Sequence, residues 1–112
     1  MGTKKILLAA LAAWTLAWAG PAAANPAYEE GLRQVDERNY ARALQEFRRA
    51  AAQGHRDAMR AAGLMLLFGS DLYGAQIPRQ EGQAVALLKA AADAGCEVSA
   101  LILARMGYHQ GC

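Results

Sequence analysis

The chain is poor in the side chains that carry chemistry. After residue 24 it contains no tryptophan and no threonine, and only two serines, two histidines and two cysteines. Runs of like charge are also missing: without Lys4 and Lys5, the 12 Lys and Arg fall to ten, against ten Asp and Glu. Because no basic stripe remains, nucleic acid and anionic membrane surfaces are excluded as partners. The 112 residues are the size of one domain, so a multidomain enzyme is not expected.

The first 24 residues have the order of a secretory signal peptide. Lys4 and Lys5 precede an apolar run over residues 6–19, and a Gly-Pro pair then leads into three alanines that end at Ala24. We predict cleavage after Ala24, with Ala19 as the second choice, and a periplasmic or secreted protein. The rival interpretation is an uncleaved anchor, but the 14 apolar residues span only about 21 Å of a hydrocarbon core about 30 Å thick.

Residues 25–112 place apolar side chains at helical spacing and show no alternation of period two, which predicts an all-α fold. Asn25 and Pro26 suit the cap and the first residue of a helix. Gly54 suits a left-handed helix end. About five helices are predicted in the mature chain, over residues 26–38, 40–53, 57–68, 80–93 and 97–106, with a loop at 69–74.

Two of these helices carry more apolar surface than a single neighbour covers. Residues 64–68 are apolar on every side of the helix. On the fifth helix one face is predicted to pack on a neighbour and Leu103 is left as surplus; that face consists of Val98, Leu101, Ile102 and Met106. Exposing such a side chain costs about 1.5–3 kcal/mol, so the sequence predicts self-association or a protein partner.

An internal repeat with an offset of 41 residues underlies the helices. Residues 41–54 align with residues 82–95, so that Phe47 corresponds to Leu88 and Gly54 to Gly95. Small side chains recur along the alignment, and they let the two helices of a hairpin approach closely, as in helical solenoids. The predicted repeat-packing positions are Ala50, Ala51, Gly54, Ala58 and Gly63 in the first copy and Ala91, Ala92, Gly95, Ser99 and Ala104 in the second.

These positions resemble the Sel1-like repeat family, which is related to the tetratricopeptide repeats. The segment 74–81 is similar to the family's Gly-x-Gly-Val-Pro-x-Asp loop, although the second glycine is missing and Ile77 replaces valine. The resemblance covers residues 40–107 and implies a short right-handed α-solenoid of antiparallel helix pairs whose concave surface binds proteins. Residues 25–39, with their Glu- and Arg-rich outer face, are predicted to be an N-terminal capping helix, and residues 108–112 a C-terminal tail.

The two cysteines suggest a disulfide. Cys96 and Cys112 form an even pair in a chain addressed to an oxidising compartment, although an intermolecular bond or two unpaired thiols are alternatives. Together with His55 and His109 they are also the candidate zinc ligands. His55 and Cys96 hold equivalent repeat positions about 10 Å or more apart, which is too far for one ion. No metal and no cofactor are therefore predicted, and His55 is interpreted as a solvated turn residue.

No catalytic residue is predicted. Ser70 lies outside the Gly-x-Ser-x-Gly and Ser-x-x-Lys contexts, and Ser99 is interpreted as a packing residue. The carboxylates of the first two helices alternate with arginines and indicate a solvated, ion-paired face. Tyr73 in the long loop is the best exposed anchor for a partner, and Arg56 and Arg60 would suit an acidic one.

The sequence thus predicts a non-catalytic scaffold for protein–protein interaction, with another envelope protein as its partner or with self-association. Secreted bacterial members of the Sel1-like family look like adaptors of envelope assemblies, as the resemblance implies. The alternative is a periplasmic hydrolase or a β-lactam-binding protein related to cysteine-rich members of the family. Those members carry a pair of cysteines in every repeat, which this chain lacks.

Overall fold

The computed structural model describes residues 25–108, and this part of the chain is helical without strands. Its helices are α1 (Pro26–Asp36), α2 (Tyr40–Ala52), α3 (Arg56–Phe68), α4 (Ser70–Tyr73), α5 (Glu81–Asp93) and α6 (Glu97–Arg105). The predicted all-α class is confirmed for these residues, and none of their helices combines the length and apolarity needed to cross a membrane. The predicted signal peptide and the last four residues of the predicted tail lie outside the described range.

Two helices begin with a side chain that caps their free amide groups. The Oδ1 atom of Asn25 accepts a hydrogen bond from the Tyr28 amide at 3.0 Å, as the sequence predicted for α1. The Nδ1 atom of His55 accepts from the Ala58 amide at 3.2 Å, and its ring lies 4.5 Å from that of Tyr28. His55 is therefore the N-cap of α3 and is partly buried, which corrects its interpretation as a solvated turn residue.

Four helices end in the same way, with a residue of positive φ that closes the last turn. These residues are Arg38, Gly54, Gly95 and Gly107. At each end the next amide donates to the carbonyl five residues earlier, for example from Asn39 to Gln34 at 2.8 Å. The helix α1 ends at Asp36, two residues before its predicted end, because Arg38 adopts the left-handed conformation.

The two copies of the repeat use the same positions for packing. Six pairs of residues that correspond under the 41-residue offset are buried in both copies, with at most 8% of each residue exposed: Ala43 and Ala84, Leu44 and Val85, Phe47 and Leu88, Ala50 and Ala91, Ala58 and Ser99, and Ala62 and Leu103. Gly54 and Gly95 also correspond, and their φ angles are +87° and +98°. The sequence alignment therefore matches the burial at these six pairs, whereas Gly63 is buried and its counterpart Ala104 is exposed.

Glycine allows a close helix contact at two places. A Cβ atom at Gly31 in α1 would lie 2.5 Å from the ring of Phe47 in α2, and one at Gly63 in α3 would lie 3.0 Å from Leu88 in α5. Phe47 and Leu88 are equivalent in the repeat, so α1 meets α2 as α3 meets α5. The predicted capping helix α1 thus contacts α2 in the same way as α3 contacts α5.

The segment between α3 and α5 contains a helical turn where a loop was predicted. The amides of Leu72 and Tyr73 donate to the carbonyl of Gly69 at 3.1 and 2.8 Å, which forms α4. Ile77 follows this turn and is 1% exposed within the core cluster formed with α2, α3 and α5. Tertiary packing around Tyr73 and Ile77 thus gives order to a stretch whose composition is typical of a loop.

The last helix, α6, turns a different side to the core from the predicted one. Leu103 is fully buried against Val85 and Leu88, whereas Val98 and Leu101 are 50% and 66% exposed. The prediction that Leu103 is surplus was therefore wrong. Leu103 corresponds to the buried Ala62 under the 41-residue offset, so the repeat sets the rotation of α6. The surplus apolar surface at this end belongs to Val98 and Leu101 instead.

Candidate functional site

Tyr73 is a structural contact as well as a surface residue. Its ring meets that of Tyr40 edge to face, with centroids 5.2 Å apart, and it is partly buried. Burial, and then the neighbouring Tyr40, raise the pKa of the Tyr73 phenol above its ordinary value. The predicted exposed anchor is thus half covered by its own chain, which limits what a partner would gain from its ring.

The two arginines predicted to meet an acidic partner lie on α3 and point toward α6 and its preceding turn. The Nη1 atom of Arg56 lies 3.5 Å from the carbonyl oxygen of Gly95, at the end of α5, where a positive charge is favourable. Arg60 contacts Asp57 at 3.7 Å and the thiol of Cys96 at 3.9 Å. Both guanidinium groups therefore have contacts within the chain, and Arg60 is partly buried.

Cys96 is buried at the start of α6, with 6% of the residue exposed. Its Sγ atom accepts a hydrogen bond from the Ser99 hydroxyl at 3.2 Å. Burial raises the pKa of the thiol, but hydrogen bonds from Ser99 and Arg60 outweigh burial, so the pKa is lower than its ordinary value. No disulfide is present within residues 25–108, and Cys112 lies outside them.

Within the same residues, no group of three or more His, Cys, Asp or Glu side chains is placed to hold a metal ion. Of the four candidate zinc ligands, His55 caps α3 and Cys96 starts α6, while His109 and Cys112 fall outside the description. The Nδ1 atom of His55 is engaged by a backbone amide.

The ion-paired face predicted on the first two helices is present in part. Arg33 pairs with Glu30 and Glu37 across one face of α1. Hydrogen bonds from Arg33 and Gln34 lower the pKa of Glu30 to about 2. Glu46 is only 5% exposed and so is not solvated as predicted. It lies between Arg42 and Arg49 on α2, at 4.0 and 3.6 Å, and this pairing compensates the burial of its charge.

An open groove of about 420 Å³ lies between α2 and α5, with Met59 of α3 among its lining residues; we call it the side groove. Its walls are built mainly from the short side chains of Ala51 and Ala52 on α2 and of Ala86 and Ala90 on α5, and Leu87 of α5 also lines it. The guanidinium of Arg48 donates to the Oε1 atom of Gln83 at 2.8 Å and so connects the two helices. Because alanine leaves room above the helix backbone, another chain can approach closely at this place.

A second groove, of about 740 Å³, lies between the end of α3, α4 and α6; we call it the end groove. Its apolar lining consists of Leu67, Phe68, Val98, Leu101, Ile102 and Met106, and its charged lining of Asp71, Arg79, Glu81 and Arg105. Phe68 is 45% exposed there. The sequence indicated apolar surplus at this end but did not show which side chains would form it.

The predicted repeat-packing residues divide into three groups. Buried positions are Ala50, Ala58, Gly63, Ala91 and Ser99; partly buried are Ala51 and Ala92; exposed are Gly54, Gly95 and Ala104. The two exposed glycines serve helix ends, and Ala104 lies on the open side of α6. Sequence reasoning missed Gly31 and Ile77 as packing residues. The available signal for Gly31 was its position inside a helix that otherwise contains good helix formers.

Comparison of the chain with models of known protein families, with curated proteins and with solved structures finds no match.

Proposed function

We propose that the chain is a non-catalytic scaffold of the Sel1-like repeat kind, in which a right-handed stack of antiparallel helix pairs binds another protein of the bacterial envelope. The proposed secretory signal at residues 1–24 directs it to the periplasm or out of the cell. The side groove is the proposed binding surface, because it lies between the equivalent first helices of the two repeats. In a helical solenoid these helices line the concave side.

The observation that carries this proposal is the alanine lining of the side groove. Ala86 is exposed and Ala90 is partly buried on the side of α5 that lines the groove, where long polar side chains would be the ordinary choice for a solvated helix. Because alanine side chains are short, a partner can contact Met59 and Leu87 at the bottom of the side groove. A partner can then bury an apolar segment against both helices at once.

The side groove also carries a charge that no ion pair within residues 25–108 neutralises. Arg48 hydrogen-bonds to the neutral amide of Gln83, and no carboxylate pairs with it among residues 25–108. The partner segment is therefore proposed to place an acidic side chain next to its apolar residues. Such a pairing adds specificity and faster association more than affinity.

A pair of alanine substitutions tests the proposal. Ala86→Arg fills the side groove, whereas Ala41→Arg places the same side chain on exposed α2 surface beside Gln34 and Asn39, outside that groove. Arginine is nearly as good a helix former as alanine, so both variants should keep the fold, which circular dichroism checks.

The readout is affinity capture with chemical crosslinking in an envelope extract, using the protein expressed from its complete coding sequence. We expect one specific protein to be captured by the parent chain and by Ala41→Arg, and to be lost with Ala86→Arg. Equal capture by both variants, or no specific protein with the parent chain, contradicts the proposal.

A further inference from the structure

The end groove has two walls of different character. The α6 wall carries the exposed side chains of Val98 and Leu101 and the positive charge of Arg105. The opposite wall, from the end of α3 to the start of α5, carries the half-exposed ring of Phe68, the carboxylates of Asp71 and Glu81 and the guanidinium of Arg79. One wall is thus apolar and basic, and the other is apolar and mainly acidic.

The charges of these walls are only weakly neutralised within the chain. Arg105 has no ion pair among the described residues. Asp71 lies 4.0 Å from Arg79, with both side chains mostly in solvent, and Glu81 accepts a 3.3 Å hydrogen bond from the Tyr108 hydroxyl. The acidic wall and Arg105 are therefore available to charges from outside the molecule.

A surface whose two halves are complementary to each other fits a second copy related by a two-fold axis. In such an interface, the α6 wall of each copy lies on the opposite, mainly acidic wall of its partner, so every contact occurs twice. We propose that the end groove is a self-association surface of this kind. Leu101 of each copy packs on Phe68 of the other, and Arg105 of each copy faces the acidic wall of the other. This surface is separate from the side groove.

The size of the patch sets the strength of the dimer. With about 150–200 Å² available to a large side chain, the exposed parts of Phe68, Val98 and Leu101 supply roughly 300 Å² of apolar surface per copy. A standard interface buries ~800 Å² per partner, of which about 56–58%, or ~450 Å², is apolar. The dimer is therefore a weak one, with a dissociation constant in the micromolar range.

A matched pair of leucine variants tests the location of the surface. Sedimentation equilibrium of the protein expressed from its complete coding sequence, under reducing conditions, gives the dissociation constant. Leu101→Asp is expected to raise it at least 30-fold, because each dimer then buries two unpaired charges. Leu32→Asp is the control, since Leu32 is also exposed, at 40%, but lies on α1. It should leave the constant unchanged.

A second pair of variants tests the two-fold arrangement itself. Arg105→Glu on one chain, and Asp71→Lys with Glu81→Lys on another, should each weaken self-association about tenfold because like charges then face each other twice. An equal mixture of the two variants should regain association, since each altered wall meets its complement in a heterodimer. A parent chain that stays monomeric at several hundred micromolar overturns the proposal. A similar effect of Leu32→Asp, or a mixture that associates no better than its components, also overturns it.

Discussion

Replacing Gly31 by alanine isolates the contact between α1 and α2. A Cβ atom at this position would lie 2.5 and 2.6 Å from two ring carbons of Phe47, closer than such atoms approach in folded proteins. Removing a glycine from the middle of a helix gains about 0.5–1 kcal/mol. Overpacking a core contact costs about 1–3 kcal/mol. The net expectation is a loss of about 1–2 kcal/mol of folding free energy.

Thermal unfolding followed by circular dichroism gives the size of this loss. For a domain of this length, 1 kcal/mol corresponds to about 4–8 °C in Tm, so Gly31→Ala should lower Tm by roughly 5–15 °C. Gly82→Ala is the control, because its Cβ atom meets nothing within 4 Å in α5. It should leave Tm unchanged or raise it by a few degrees.

A double-mutant cycle then identifies the clash as the cause. In the equivalent contact a Cβ atom at Gly63 would lie 3.0 Å from Leu88, against 2.5 Å from Phe47 at Gly31, so a leucine in place of Phe47 should partly relieve an alanine at position 31. The double variant Gly31→Ala, Phe47→Leu is expected to lose at least about 1 kcal/mol less free energy of unfolding than the two single variants lose together. A Gly31→Ala protein as stable as Gly82→Ala, or strict additivity in the cycle, would refute the proposed contact.

Three further outcomes follow from the geometry. Arg38→Gly should raise stability by about 0.5–1 kcal/mol, because Arg38 has a φ of +62°, and a lower midpoint in urea unfolding would contradict this. In a Cys112→Ser background, Cys96 should react with a thiol reagent only after denaturation, since it is 6% exposed; rapid native labelling would show that the α6 start opens readily. The Glu30 carboxyl should titrate near pH 2 by NMR, so its contribution to stability is present above its unfolded pKa and is lost as pH falls toward 2. In the Arg33→Met variant the titration midpoint of Glu30 should rise. An unchanged midpoint would show that the ion pair with Arg33 does not lower the pKa of Glu30.

The five longer helices of residues 25–108 could be predicted from the sequence because their signals are local. The predicted bounds agree with the observed ones to within two residues. They rest on Asn25, on the glycines at the helix ends and on the spacing of apolar residues. The end of α1 was missed because Arg38 performs the role that glycine performs at the other ends. Nothing in the local sequence distinguishes an arginine in a left-handed turn from one in the last turn of a helix.

The prediction of which side of α6 faces the core depended on whether the apolar stripe or the repeat alignment was given more weight. The stripe of large apolar residues indicated Val98 and Leu101 as the core face, whereas the repeat alignment placed Ser99 and Leu103 there. The structure follows the alignment. A hydrophobic stripe shows only that one side of a helix is apolar. The repeat alignment also indicates which side packs against a neighbouring helix. The end groove is the consequence, and its residues could not be found from the stripe alone.

The contact between α1 and α2 also decides how this protein can be shortened. A fragment trimmed to the two repeats, residues 40–107, loses the helix that covers the ring of Phe47, which is 2% exposed in the intact chain. Baring one aromatic ring of this size costs about 1.5–3 kcal/mol, a large fraction of what keeps so small a domain folded. A fragment for expression or fusion is therefore expected to need α1, starting at Asn25, because this helix covers a core side chain of α2.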